Sequence, residues 1–214
     1  MNAQIDKNNL NVAHLTACTN NLGPGDRAVL WVQGCPHRCP GCVAPEWLPF
    51  ETARLVSPLD LVDELLAYPS VTGLTFSGGE PMWQALALAN LARIARERRQ
   101  LDIICFTGYR LEQLMKHPPS EGVSDLLRQI DVLIDGPYIH SLNDNTGLRG
   151  SSNQRIIHLT EKLKHLHLEK YPRRVDITIG SGQIMMVGIP PISLESFIPK
   201  TLFAKSMEGI SRGQ

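Results

Sequence analysis

Residues 27–42 read RAVLWVQGCPHRCPGC, a β-rich run that passes without a linker into three cysteines, two prolines and two glycines. In parallel α/β folds, chemistry gathers where the carboxyl ends of the strands share one face, so a strand that empties into a reactive loop is a fold signal. The same unit recurs downstream. "VTGLTF" (71–76) leads into "SGGEP", "LDIICF" (101–106) into "TGY", and "DVLI" (131–134) into "DGPY". The strand cores are nearly continuous apolar runs, the pattern of a sheet covered on both faces. Four clusters separated in sequence are therefore expected to meet in one pocket.

The intervening segments carry helical patterns. "SPLDLVDELLAY" (57–68) opens with Ser57 as N-cap, Pro58 at the first helical position and Asp60 at the positive end of the dipole. From Gln84 to Arg99, Leu88, Leu91, Ile94 and Ala95 make an apolar stripe, with Arg93, Arg96, Glu97 and Arg99 outward. "LEQLMK" and "SDLLRQI" are short helical pieces. This βαβαβαβ order predicts parallel strands joined by right-handed crossovers. After "LRGSSNQR" (148–155) the character changes. "LTEKLKHLHLEKY" (159–171) reads as a surface helix, and "RRVDITIG" and "IMMVGIP" as a β-hairpin around Gly-Ser-Gly. Residues beyond about Phe203 read as a frayed tail.

Composition bounds the rest. The 214 residues are 43% hydrophobic, enough for one substantial core. Lys+Arg and Asp+Glu balance at 21 each, which argues against a nucleic-acid partner or an anionic membrane surface. "MNAQIDKNNL" has no apolar export region, and no segment approaches the roughly 20 apolar residues of a membrane span. A cytoplasmic protein is expected.

The five cysteines are Cys18, Cys35, Cys39, Cys42 and Cys105, an odd count with three clustered, unlike a disulfide framework. Two readings of the C-x3-C-x2-C run stand. A structural zinc site wants four ligands, usually from two separated pairs. Cys105 lies inside an apolar strand, Cys18 in an N-terminal loop, and His37, inside the tight run, is expected to point away from a shared centre. A four-iron cluster held by three thiolates leaves one iron open to a substrate or cofactor. The other histidines (His14, His117, His140, His158, His165 and His167) are scattered without metal-ligand spacing.

The cysteine loop after the first strand and "SGGEP" after the second together resemble the radical S-adenosylmethionine (radical SAM) superfamily over roughly residues 20–160. "LGPGDRAVLWVQGCPHRCPGCVAPEW", "FTGY", "VLIDGPY" and "LRGSSNQ" narrow the resemblance to the small activating enzymes of glycyl radical enzymes, nearest to the activases of anaerobic (class III) ribonucleotide reductase. The resemblance implies an open, partial parallel β/α barrel over residues 1–160; it stops near "SSNQRIIHL", and the remaining chain, a departure from those activases, is expected to form a helix-plus-hairpin extension over 161–214, packed on the same domain. It implies that Cys35, Cys39 and Cys42 hold a [4Fe–4S] cluster whose open iron chelates SAM. One electron, from a flavodoxin- or ferredoxin-type donor, then releases methionine and a 5′-deoxyadenosyl radical. That radical takes hydrogen from a glycine of a partner enzyme.

The cofactor contacts so implied are Gly41, Val43, Gly78, Gly79, Glu80, Asp135 and Asn153. Gly78 and Gly79 let backbone approach the methionine moiety, and Glu80 offers a carboxylate to its ammonium. Gly41 stands where many superfamily members carry an aromatic residue, so backbone would approach the adenine. Asp135 has two readings, a SAM contact or an Asp-Gly turn. Tyr109 lines the pocket or packs at its rim. Arg149, Ser151, Ser152, Asn153 and Gln154 close the SAM site or face the partner. Trp47 is expected to pack over the cluster and exclude water, and Trp31 to sit in the strand core. Rival readings are a radical SAM enzyme acting on another peptide or a small molecule such as a deazapurine precursor, and a non-catalytic iron–sulfur or zinc protein.

Overall fold

The computed structural model describes residues 7–180 and 183–195; the frayed tail and the Ser181–Gly182 turn read from the sequence lie outside them. The chain runs β1 (Leu10–Thr19), β2 (Arg27–Val32), β3 (Arg54–Val56), α1 (Pro58–Leu65), β4 (Gly73–Gly78), α2 (Ala85–Arg98), β5 (Asp102–Thr107), α3 (Leu111–Lys116), α4 (Val123–Gln129), β6 (Val132–Asp135) and β7 (Arg155–His158). A hairpin of β8 (Val175–Gly180) and β9 (Gln183–Gly188) and a short α5 (Ile192–Glu195) follow. Among the described residues no helix is long and apolar enough to cross a membrane.

Seven strands form one sheet in the order β3-β1-β2-β4-β5-β6-β7. The four expected strands, β2, β4, β5 and β6, are its parallel centre. Their order rises steadily along the chain. With right-handed crossovers, such an order sends every connecting helix to the same face. That face holds the larger core, where Leu30, Phe76, Ile103 and Leu133 pack beneath Leu61 of α1, Leu88 and Leu91 of α2 and Leu126 of α4. The N-cap expected for α1 is present, with the Ser57 hydroxyl accepting from Asp60 N at 3.2 Å.

The opposite face carries Val29, Trp31, Ile104, Val132 and Ile134, and among the described residues no α-helix contributes to its core. Its cover is Leu22, Leu148, Leu163, Leu168, Val187 and Ile189, the last four from beyond residue 160. The surface helix expected over 159–171 does not form. Leu163 and Leu168 are both buried, and a spacing of five does not fit one helical stripe. Lys162 Nζ donates to Leu101 O (2.8 Å) and Leu148 N to Leu168 O (2.9 Å), so tertiary anchoring replaces the helix with turns and one 3-10 turn at Leu168–Lys170. The hairpin forms as expected, its strands pairing from Val175–Gly188 to Gly180–Gln183.

Three antiparallel strands escaped the sequence reading. β1 pairs with β2 and β3, which puts Cys18 in a strand instead of a loop, and β7 pairs with β6. The sheet is therefore mixed, with an open edge at β3 and another at β7.

The amino ends of the parallel strands are tied by Arg27, which is wholly buried. Its guanidinium donates to Thr75 Oγ1, Leu74 O, Pro24 O and Asp102, lacing β2, β4 and β5 together. Glycine is required beside it, since a Cβ on Gly73 would stand 2.3 Å from an Arg27 nitrogen. Removing one member of such a buried set leaves the others desolvated and unpaired. Arg27→Ala is expected to cost about 3–5 kcal/mol in urea denaturation of the full chain. Arg93→Ala, which removes only the exposed pair with Glu97, should cost no more than about 0.5 kcal/mol.

Candidate active site

The carboxyl ends of the parallel strands open into a cavity of about 450 Å³. Its lining includes Cys35, Cys39 and Cys42 from the loop after β2, Gly78, Gly79 and Glu80 after β4, and Thr107 and Gly108 after β5. Gly136 and Tyr138 extend it after β6. The four strand-end clusters thus meet as the sequence predicts.

The seam between β2 and β4 sets the geometry. Gly79 N donates to Val32 O (2.7 Å) and Glu80 N to Gly34 O (2.8 Å). A Cβ on Gly79 would lie 2.2 Å from Gly34 O, and one on Gly78 2.4 Å from Val32 N. Gly78 also has φ +103°, which disfavours an L side chain. Two glycines in "SGGEP" therefore let the start of the cysteine loop lie directly on the strand that delivers Glu80. The loop is fixed at its other end by Gly34 N to Trp47 O (2.9 Å) and Cys35 N to Leu48 O (3.0 Å).

Glu80 is buried, and its carboxylate accepts from Thr107 Oγ1 (2.8 Å), Gly108 N (2.8 Å) and Met82 N (3.0 Å). These three donors hold a negative charge in place at the cavity wall. His37 joins no ligand group with the cysteines among the described residues; it lines the cavity, packs edge-on against Tyr109 (centroids 4.4 Å apart) and brings Nε2 to 3.3 Å from Glu80 Oε2. That contact is close enough for an ion pair, but it is not aligned as a hydrogen bond. Gly108 makes room for it, since a Cβ there would stand 2.4 Å from the imidazole. Trp47 lines the cavity and packs on Trp31 (centroids 5.6 Å apart), consistent with a water-excluding role.

Burial pushes the Cys35 and Cys42 thiols up, and the neighbouring thiols Cys42 and Cys39, respectively, add to the shift. Three soft sulfur donors line one cavity, a set suited to iron–sulfur ligation, in which cationic iron compensates the thiolate charge. Among the described residues no three His, Cys, Asp or Glu side chains gather tightly enough for a single metal ion. A multi-iron cluster places its ligands around a volume, and the cysteines line one.

Val43, Gly78, Gly79 and Glu80 border the cavity, but three other expected contacts stand outside its lining. Gly41 (φ +76°) packs against His140, where a Cβ would lie 3.2 Å away. Asn153 donates from Nδ2 to Pro137 O (2.7 Å), and its neighbour Gln154 borders the cavity instead. Asp135 is fully buried and its carboxylate is already engaged, accepting from Arg110, Arg155 and Leu111 N. Asp135 thereby ties β6 to β7 and to the start of α3. Gln154 braces the same region, donating to Gly136 O (2.8 Å) and accepting from Gly150 N (2.8 Å). Cys105 is buried in the core, as its apolar strand implied.

Comparison with known proteins completes the picture. The model of the family described as "4Fe-4S single cluster domain" matches residues 21–157. An anaerobic ribonucleoside-triphosphate reductase-activating protein of enterobacteria phage T4 is 32% identical over 153 residues, covering 69% of this chain and 93% of that protein. The protein of the same name from Escherichia coli K12 is 36% identical over 150 residues, covering 64% and 91%. QueE from Escherichia coli aligns structurally with a TM-score of 0.38 at 14% identity, over 59% of this chain and 69% of that one, a likeness too low to carry weight. The chain belongs to this single-cluster iron–sulfur family, in a group with the reductase-activating proteins. It is an enzyme, and its family carries a [4Fe–4S] cluster.

Two outcomes follow from the geometry. Gly79→Ala should break the β2–β4 seam, so that the anaerobically reconstituted variant retains less than about a tenth of the wild-type iron, read by colorimetric iron assay. Burial would raise Asp135, but Arg155, Leu111 N and Arg110 outweigh it and hold the carboxyl below its usual value. A depressed carboxylate stabilises the fold fully above the unfolded value of about 4 and loses that contribution as pH falls below it. Asp135→Asn should therefore be less stable near pH 7 and show a flatter decline below about pH 4 in urea titrations.

Proposed function

We propose that this chain is a radical SAM activating enzyme that installs a glycyl radical on a partner of the anaerobic ribonucleotide reductase type. The observation that carries the reading is the meeting, in one cavity, of three cysteines with the firmly held carboxylate of Glu80. When bound, the cofactors supply one-electron cleavage of SAM to methionine and a 5′-deoxyadenosyl radical, which takes a hydrogen atom from glycine Cα to leave 5′-deoxyadenosine and a glycyl radical.

The protein's part is holding and shielding. Cys35, Cys39 and Cys42 hold the cluster. Glu80, aimed by Thr107, Gly108 and Met82, takes the ammonium of SAM in a charge-assisted contact. Gly78 and Gly79 present backbone where a side chain would obstruct. His37 and Tyr109 pack beside Glu80, and the Trp31–Trp47 pair closes the wall around the cysteine loop, which keeps water from a reactive centre. Gly41 and Asn153 act from behind, shaping the walls that carry Val43 and Gln154.

In this reading the parallel strands, with every crossover helix on one face, form the arc of a partial barrel. A cytoplasmic flavodoxin- or ferredoxin-type protein supplies the electron. Purification without oxygen, reconstitution with iron and sulfide, reduction and addition of SAM should release 5′-deoxyadenosine, and Cys39→Ala should abolish it. Glu80→Gln should keep its iron yet bind SAM about 10- to 100-fold more weakly in equilibrium dialysis, as loss of a charged hydrogen-bond partner implies. A reduced candidate reductase mixed with enzyme and SAM should acquire a glycyl radical signal by paramagnetic resonance. Zinc-loaded protein without SAM turnover would overturn the proposal.

A further inference from the structure

One wall of the cavity comes from chain that the family model does not reach. The match ends at residue 157, yet Met185, Met186 and Gly188 of β9 line the cavity, followed by Ile189 and Pro190. The hairpin is docked on the sheet: Val187 and Ile189 are buried in the helix-free core with Leu163 and Leu168. Asn21 Nδ2 donates to Val187 O (3.1 Å), and Arg173 donates to Asn143 Oδ1 (2.6 Å). The end of β9 lies tight against β8, since a Cβ on Gly188 (φ +138°) would meet Arg174 O at 2.1 Å.

Neighbouring side chains on a strand point to opposite faces. Met185 borders the cavity while packing against the core, whereas Met186 borders it without joining that core. Both are half-buried. Methionine is unbranched and adaptable, so the pair makes a conformable apolar surface with no strong hydrogen-bonding group.

We propose that the C-terminal hairpin is the substrate-selecting wall of the reaction chamber, with Met185 and Met186 limiting the width of what reaches the cysteine loop to a slim segment such as glycyl backbone. A volume of about 450 Å³ lies low in the range of about 300–1,000 Å³ that holds one drug-sized ligand. Cofactors and substrate would have to share this one cavity, so a bulky substrate side chain would compete with the methionines for room. The choice of glycyl backbone rests on the function proposed above; the wall itself does not.

Full-length, metal-free chain is labelled at Cys35, Cys39 and Cys42 with iodoacetamide or with the bulkier N-phenylmaleimide and mapped by mass spectrometry. Met185→Ala and Met186→Ala should each raise the bulky-to-small labelling ratio at these cysteines at least threefold, and Met186→Trp should lower it. Leu59→Ser, at an exposed position of α1, should leave it unchanged. Buried Cys105 must stay unlabelled, which certifies that each variant is folded. Ratios unchanged in the alanine and tryptophan variants, or raised equally by Leu59→Ser, overturn the wall. Because the labelling needs neither cofactor nor turnover, a chain that cleaves no SAM yet shows these ratio changes loses the activating reading and keeps the wall.

Discussion

Everything at this site depends on a backbone-to-backbone approach between the ends of β2 and β4. Gly79 lies against Gly34 with no space for a single added carbon, and two peptide hydrogen bonds lace the contact. That approach puts the first cysteine of the loop and the carboxylate of Glu80 on the same cavity. A wider seam would leave Glu80 under its donors on β5 and α2's approach but separate it from the thiols. The glycines are thus a distance constraint, and the chemistry inherits its geometry from them.

The two faces of the sheet solve the burial problem differently. On one, amphipathic crossover helices cover the strands, a consequence of a strand order that rises monotonically through the parallel centre. On the other, Val29, Trp31, Ile104, Val132 and Ile134 have no helix available, and the segment after residue 158 covers them with Leu163, Leu168, Val187 and Ile189. The chain after residue 158 thus supplies part of this core and at the same time borders the cavity at β9.

The sequence made the centre legible because its signals are local. A β-rich run ending in cysteines, a Gly-Gly-Glu-Pro turn, and the Ser57–Pro58 helix start each carry their meaning within a few residues. The edges were harder. β1 interleaves Asn11, His14 and Thr16 with apolar residues, and its pairing partners lie up to about 45 residues away, at Leu55 and Val56. The misread helix over 159–171 has good helical composition, but Leu163 and Leu168 answer to a distant core. The partners of Asp135 were out of local reach for the same reason, because its arginines come from positions 110 and 155. The orientation of His37 depended on Gly108, which no spacing rule connects to it. Long-range partners explain each of these differences.

The antiparallel sense of β7 has one more consequence. β7 starts beside Asp135 at the cavity pole and ends beside Val132 at the opposite pole, where Thr160 binds Asp131 and Lys162 reaches Leu101. To return, the chain must climb the helix-free face, anchored at Leu163 and Leu168, before Arg173 grips Asn143 and the hairpin begins. Residues 159–174 are in effect a measured tether. Adding or deleting residues along it would slide the methionines across the chamber mouth without altering any of the cysteines or Glu80, so aperture and chemistry can evolve independently.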